Sequence, residues 1–258
     1  MRKFLNRKVF YFSFFLLVGC GGQSDVARLM SYNIRNGIGM DDVRDLQRLA
    51  NVISACDPDV VAVQEIDSMT ARSGQRDVLV ELATLTGMTP IYAPAIDFDG
   101  GKYGVGMLCK AIPLSVYRIP LPGREERRML LLAEFNDYVF ACTHLSLTEA
   151  DRMLSLPLIE EAAKKIPGKP FFLAGDFNAE PAEPFIRTLS EQFTILTDTT
   201  QRTFPADVPD CTIDYIVKLG VGDKKAVKMD VASAIKAEEV SIASDHRPVF
   251  IDISYKKK

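Results

Sequence analysis

The chain has 258 residues, 47% of them hydrophobic and 25% charged, with a formal net charge of −3. That is an ordinary globular composition, enough for one large α/β domain or two small ones. No Pro/Ser-rich linker, repeat or low-complexity segment divides it, so one domain is expected, and the five cysteines show no CxxC or Cys/His pairing at zinc spacing.

The first nineteen residues stand apart. "MRKFLNRK" is basic, and the ten-residue stretch "VFYFSFFLLV" is apolar but short for a bilayer span. They make the n-region and h-region of a secretory signal. The h-region ends in "LVGC", which resembles a bacterial lipobox, so residues 1–19 are expected to be cleaved and Cys20 to be lipidated, anchoring the protein to a membrane of the bacterial cell envelope. Residues 20–25 then form a tether, and 26–258 the folded domain. Removing residues 1–19 takes away Arg2, Lys3, Arg7 and Lys8 and no acid, leaving 27 basic against 34 acidic residues, a net −7. So acidic a surface is poor for tracking along nucleic acid. The other cysteines, Cys56, Cys109, Cys142 and Cys211, are open to oxidation in an exported protein. Cys109 and Cys142 lie in apolar strand-like runs, where buried free thiols are as well accounted for.

In chain order, Val26–Ile34 reads as a strand. Asp41–Cys56 carries apolar residues at Val43, Leu46, Leu49, Ala50 and Ile53, the spacing of an amphipathic helix. Pro58–Ile66 reads as a buried strand, and Asp77–Gly87 as a helix ended by glycine. Strand patterns follow at Tyr103–Lys110, Pro113–Ile119, Arg127–Phe135 and Tyr138–Leu145, consecutive and expected to pair antiparallel. Thr148–Gly168 reads as a helix capped by Thr148 and irregular at Pro157. Then come the strand Pro170–Asn178, a short helix from near Pro181, and strands Thr212–Leu219 and Pro248–Tyr255. The pattern predicts an α/β fold with a mixed sheet or two sheets and helices outside.

Polar residues collect at strand ends: Asn33; Gln64 and Glu65; Thr143 and His144; Asp176 and Asn178; Asp214; and Ser244, Asp245 and His246. Alternation along a strand should set Asp176 and Asn178 on one face and Phe177 on the other. Both histidines of the chain, His144 and His246, fall at such ends beside carboxylates. GxSxG, a P-loop and a dinucleotide fingerprint are absent. What remains is a set of carboxylate and amide oxygens with two imidazoles. Such a set suits a hard cation, Mg²⁺ or Mn²⁺, and chemistry on phosphate esters.

Taken in order, "SYNI", "VQE", "THL", "GDFN", "IDYI" and "SDHRP" resemble the motif series of the endonuclease/exonuclease/phosphatase superfamily, from about Met30 to Ile253. Its members include DNase I-like nucleases, sphingomyelinases and inositol-polyphosphate phosphatases. The resemblance implies a four-layer α/β sandwich, two central mixed β-sheets flanked by helices, with the site at one rim. It also implies roles. Glu65 would be the principal Mg²⁺ (or Mn²⁺) ligand, with Asn33 beside it and Asp245 near the metal or a second ion. Asp176 would align or deprotonate the attacking water, and Asn178 and His144 would hold phosphate oxygens. His246 would bind or protonate the phosphoryl group, with Asp214 fixing its tautomer. Arg128 occupies a place where the superfamily often sets a substrate-facing arginine, though Arg127 leaves that alignment open by one position and a solvated charge is as well accounted for. Tyr103 is read as a rim contact or a packed strand tyrosine.

The expected function is therefore Mg²⁺-dependent hydrolysis, as a phosphodiesterase before a monoesterase, of an extracytoplasmic phosphate ester such as a phospholipid head group or a phosphorylated sugar or inositol. Two alternatives stand beside it: an exported metal-dependent nuclease, and a non-catalytic binding lipoprotein on the same scaffold. The chain lacks tryptophan, and its longest inter-motif loops are "DFDGGKYG" and the basic "KLGVGDKKAV". Nucleic acid is thus a partner not favoured, and a monomer is expected.

Overall fold

The computed structural model describes residues 24–221 and 237–256. The signal segment, Cys20 and the basic part of "KLGVGDKKAV" from residue 222 onward lie outside the described residues. Eleven described strands make two sheets. The first runs in the order β11 (Val249–Lys256), β1 (Ser24–Asn33), β2 (Val60–Ser68), β4 (Gly101–Cys109), β3 (Thr89–Phe98). The second runs β5 (Ser115–Leu121), β6 (Arg128–Glu134), β7 (Val139–His144), β8 (Phe171–Asp176), β10 (Asp214–Leu219), β9 (Phe193–Ile195). Both are mixed: β1–β2 and β7–β8 are parallel, the other pairs antiparallel. The middle strands are antiparallel as expected, although the chain changes sheet between β4 and β5.

Alternation sorts the apolar side chains into three cores. Leu29, Ala62, Met107, Leu131, Phe140, Cys142, Phe172, Ala174 and Ile216 fill the space between the sheets. Met30, Tyr32, Val61, Val63 and Ile66 face α1 (Leu46–Cys56), α2 (Val78–Thr86) and α5 (Ala237–Ala243). Leu130, Ala141, Leu173, Phe177 and Tyr215 face α3 (Glu149–Lys164) and α4 (Pro184–Leu189). Helix, sheet, sheet and helix thus form the four expected layers.

Several boundaries differ from the sequence reading, each for a local reason. Helix α1 starts at Leu46, not Asp41, because the Asp45 side chain accepts the Arg48 N–H as an N-cap while Arg44 bridges back to Ile38. Helix α3 runs through Pro157 to Lys164, and Thr148 stands at its N-cap without a side-chain capping bond. Helix α4 begins at Pro184, with proline in the first turn where it has no N–H to lose. Strand β3 carries Pro90 and Pro94 and reads poorly as a strand, yet it lies at a sheet edge, where a missing N–H is tolerated. Strand β9 and helix α5 are also additions. Ser24 and Asp25, in the segment read as tether, already pair with Lys256 and Tyr255. Cys56, Cys109 and Cys142 are buried free thiols, and Cys211 is a half-buried one.

Candidate active site

The site is the polar end of the inter-sheet face. Ala27, Leu29, Ser31 and Asn33 alternate along β1 on the side facing the second sheet, and Ser31 Oγ donates to Gln64 Oε1 between the sheets. On the opposing sheet, Phe140 and Cys142 lead to His144, Phe172 and Ala174 lead to Asp176, and Ile216 follows Asp214. His144 pairs in register with Asp176, and Asp176 with Asp214, so the three stand in one row across β7, β8 and β10. Each is the residue at which the inward face changes from apolar to polar.

Glu65 reaches the site by an irregularity. Simple alternation from Val61 and Val63 would aim it at the helix layer. The β2–β4 pairing instead shifts register between Val63 and Ile66, Glu65 takes a φ of +60°, and Ile66 returns to the outer core. A bulge with one left-handed residue therefore turns the carboxylate toward Asn33. Gly175, in "GDFN", is required by close approach: a Cβ there would clash with Thr143 O on β7.

Polar contacts bring the predicted residues together. Asn33 Nδ2 donates to Glu65 Oε1 at 3.0 Å and to Asp176 Oδ2 at 3.1 Å, while its Oδ1 accepts the Arg35 N–H at 3.1 Å. His144 Nε2 and His246 Nε2 stand 3.5 and 3.7 Å from Asp176 Oδ2. His246 Nδ1 is 3.0 Å from Asp214 Oδ2. Ser244 Oγ donates to Asn33 O at 2.8 Å, tying the "SDHRP" loop to the end of β1, and Phe204 packs against the His246 ring at 4.7 Å. Asp245 Oδ2 lies 3.7 Å from Arg35 Nε.

Two expectations change. Strand β8 ends at Asp176 and Asn178 has a φ of +49°, so the two do not share a face by strand alternation. They are joined by a tight turn in which Asp176 Oδ1 accepts the Asn178 N–H, and Asn178 Nδ2 donates to Leu145 O. Arg128 is not a solvated charge but buried, bonded to Glu125 and Glu126. Tyr103 is half-buried against Phe98 and Arg72, and shares a small cavity with Arg128 and His144. Sequence reading missed Arg35, Glu125 and Glu126; the acidic pair of "EERRM" was the visible signal for the last two.

The two imidazoles differ in charge. Burial pushes His144 down to about 4, so it is neutral near pH 7. Burial also opposes charge on His246, but the Asp214 and Asp176 carboxylates outweigh it and carry this imidazole up to about 10. Burial raises the Glu65 carboxyl, against the Asn33 N–H it accepts, and the Asp245 carboxylate adds to the rise. One ligand atom from each of Asp176, Asp214 and His246 fits within 4.8 Å, a group that could hold a metal ion. Asp214 Oδ1 is buried and has no hydrogen-bond partner.

The family model for the endonuclease/exonuclease/phosphatase family matches residues 30–246, nearly the whole described domain. The chain belongs to that family. Its members are phosphoester hydrolases, typically dependent on a divalent metal. Among solved structures, a family member from Bacteroides vulgatus is similar over 90% of this chain and 99% of its own, with a TM-score of 0.67 and 19% identity. A mannosyl-6-phosphatase of Bacteroides thetaiotaomicron is similar over 89% and 99%, with a TM-score of 0.64 and 16% identity. At such identities the likeness is one of fold. The uncharacterized protein YbhP of Escherichia coli strain K12 is 26% identical over 164 residues, 61% of this chain. The match covers 55% of YbhP, so the chain spans about half the length of the curated relatives it matches.

Proposed function

We propose that this family member is a divalent-metal-dependent phosphoesterase, a phosphodiesterase before a monoesterase, acting on a phosphate ester outside the cytoplasm. The observation that carries the reading is the convergence of Asn33, Glu65, His144, Asp176, Asp214 and His246, from six separate segments, at one rim between the sheets. The donors around Glu65 are carboxylate and amide oxygens, with Asn33 and Asp176 joined to it through the Asn33 amide and no thiolate among them; such a set fits a hard cation. Mg²⁺ or Mn²⁺, held by Glu65 with Asn33 and Asp245 nearby, would supply charge neutralisation at a phosphoryl oxygen.

The chain's own residues do the rest. Asp176 is fixed by the Asn178 and Asn33 N–H groups and is placed to align a water and take its proton. The new O–P bond forms as the ester P–O bond breaks. His246, cationic and held by Asp214, binds or protonates the phosphoryl group. Neutral His144 and the second N–H of Asn178 hold phosphoryl oxygens. The envelope location rests on the signal pattern and "LVGC", and points to phospholipid head groups or phosphorylated sugars and inositols met outside the cytoplasm.

The test is hydrolysis of bis-p-nitrophenyl phosphate with Mg²⁺. Activity should vanish with EDTA and in Glu65→Gln, and fall about 10²–10⁴-fold in His246→Ala. Full activity in both Asp176→Asn and His246→Ala would defeat the mechanism. A plasmid-nicking assay run beside a sphingomyelin and phosphoinositide panel separates an exported nuclease from a head-group hydrolase.

A further inference from the structure

Beside His144 lies an unequal cluster of charge. The Arg128 side chain is 6% exposed, and its guanidinium meets Glu125 Oε1 at 3.2 Å and Glu126 Oε1 at 2.9 Å. Its Nε is buried with no hydrogen-bond partner. Two carboxylates thus answer one cation, a sum of −1 over the three.

The two acids are engaged differently. Glu125 also accepts Ser146 Oγ–H and the Leu147 N–H, so it fixes the loop after β7. The Glu126 carboxylate has Arg128 as its one ion-pair partner among the described contacts. It lines a cavity of about 10 Å³ with Tyr103, Arg128 and His144, space for one water-sized group. Through Ala95 and Arg127 this cavity adjoins an open groove of about 380 Å³ lined by Pro94, Ala95, Ile96, Asp97, Lys102 and Arg127. Two further arginines near the rim are also held by acids: Arg35 by Asp42 and Asp245, and Arg72 by Asp67.

We propose, resting on the phosphoesterase reading, that Glu126 determines charge selectivity. By occupying Arg128 it withholds the buried guanidinium beside His144 from the second negative charge of a phosphomonoester. The site then takes singly charged diesters, whose second alcohol lies in the adjoining groove. A like charge close to a dianion raises its free energy more than that of a monoanion, and one such charge in a partly screened rim is worth about tenfold in binding.

The experiment compares kcat/KM of the full chain with Mg²⁺ on bis-p-nitrophenyl phosphate and p-nitrophenyl phosphate, for the wild type, Glu126→Gln and Glu126→Asp. Glu126→Gln should raise monoester kcat/KM about tenfold, mainly through KM, and change diester kcat/KM less than about threefold. Glu126→Asp, which keeps the charge, should retain the wild-type ratio. A ratio unchanged in Glu126→Gln, or a wild type that prefers the monoester, overturns the proposal and leaves the hydrolase standing. No metal-dependent turnover of either ester by the wild type brings down the hydrolase reading, and this one with it.

Discussion

Glu125 shows how a single side chain can fix a loop beside the site. Burial works against its charge, yet the Ser146 hydroxyl, the Leu147 N–H and Arg128 hold its carboxyl down to about 2. Because the folded value lies below the ordinary one, ionised Glu125 stabilises the fold wherever pH exceeds about 4.5. That contribution fades as pH falls from there toward about 2. The Tm gap between the wild type and Glu125→Gln should therefore be constant above pH 5 and close on acidification. A gap that widened below pH 4 would contradict the assignment. Glu65 is the other residue set apart from its neighbours. Its left-handed φ left no mark in the sequence, because no glycine or asparagine stands there to signal a bulge. Its chemistry was legible from "VQE", but the means by which it reaches the site was not.

Among the elements, the strands that carry the site were the most legible. Strands β1, β7, β8 and β10 change from apolar to polar on their inward faces at Asn33, His144, Asp176 and Asp214, a pattern that alternation exposes directly. Where the sequence misled, a local bond outweighed periodicity. Val43 falls at a helical spacing, yet it is exposed, since the Asp45 cap delays the helix until Leu46. Asp45→Ala should lower stability by about 1 kcal/mol, read from urea unfolding. Strand β3 was illegible because two prolines argue against a strand unless its edge position is known, and edge position is a property of the sheet rather than of the segment. The turn at Asn178 was hidden for a similar reason: Asp176 bonds the next amide but one and ends the strand.

At the level of the whole molecule, the site belongs to neither sheet alone. Asn33 and Glu65 come from one, His144, Asp176 and Asp214 from the other, and Asp245 and His246 from the loop that leads into β11. The inter-sheet core of Leu29, Phe140, Phe172 and Ile216 sets their separation. The bulge at Glu65 then has a consequence for any attempt to harden this protein. A left-handed backbone under a side chain with a Cβ stores about 1 kcal/mol, which glycine would release. Glu65→Gly should melt later than its parent in a thermal scan while losing turnover altogether. A laboratory selection that rewarded survival at high temperature and ignored hydrolysis would be expected to discard this carboxylate early.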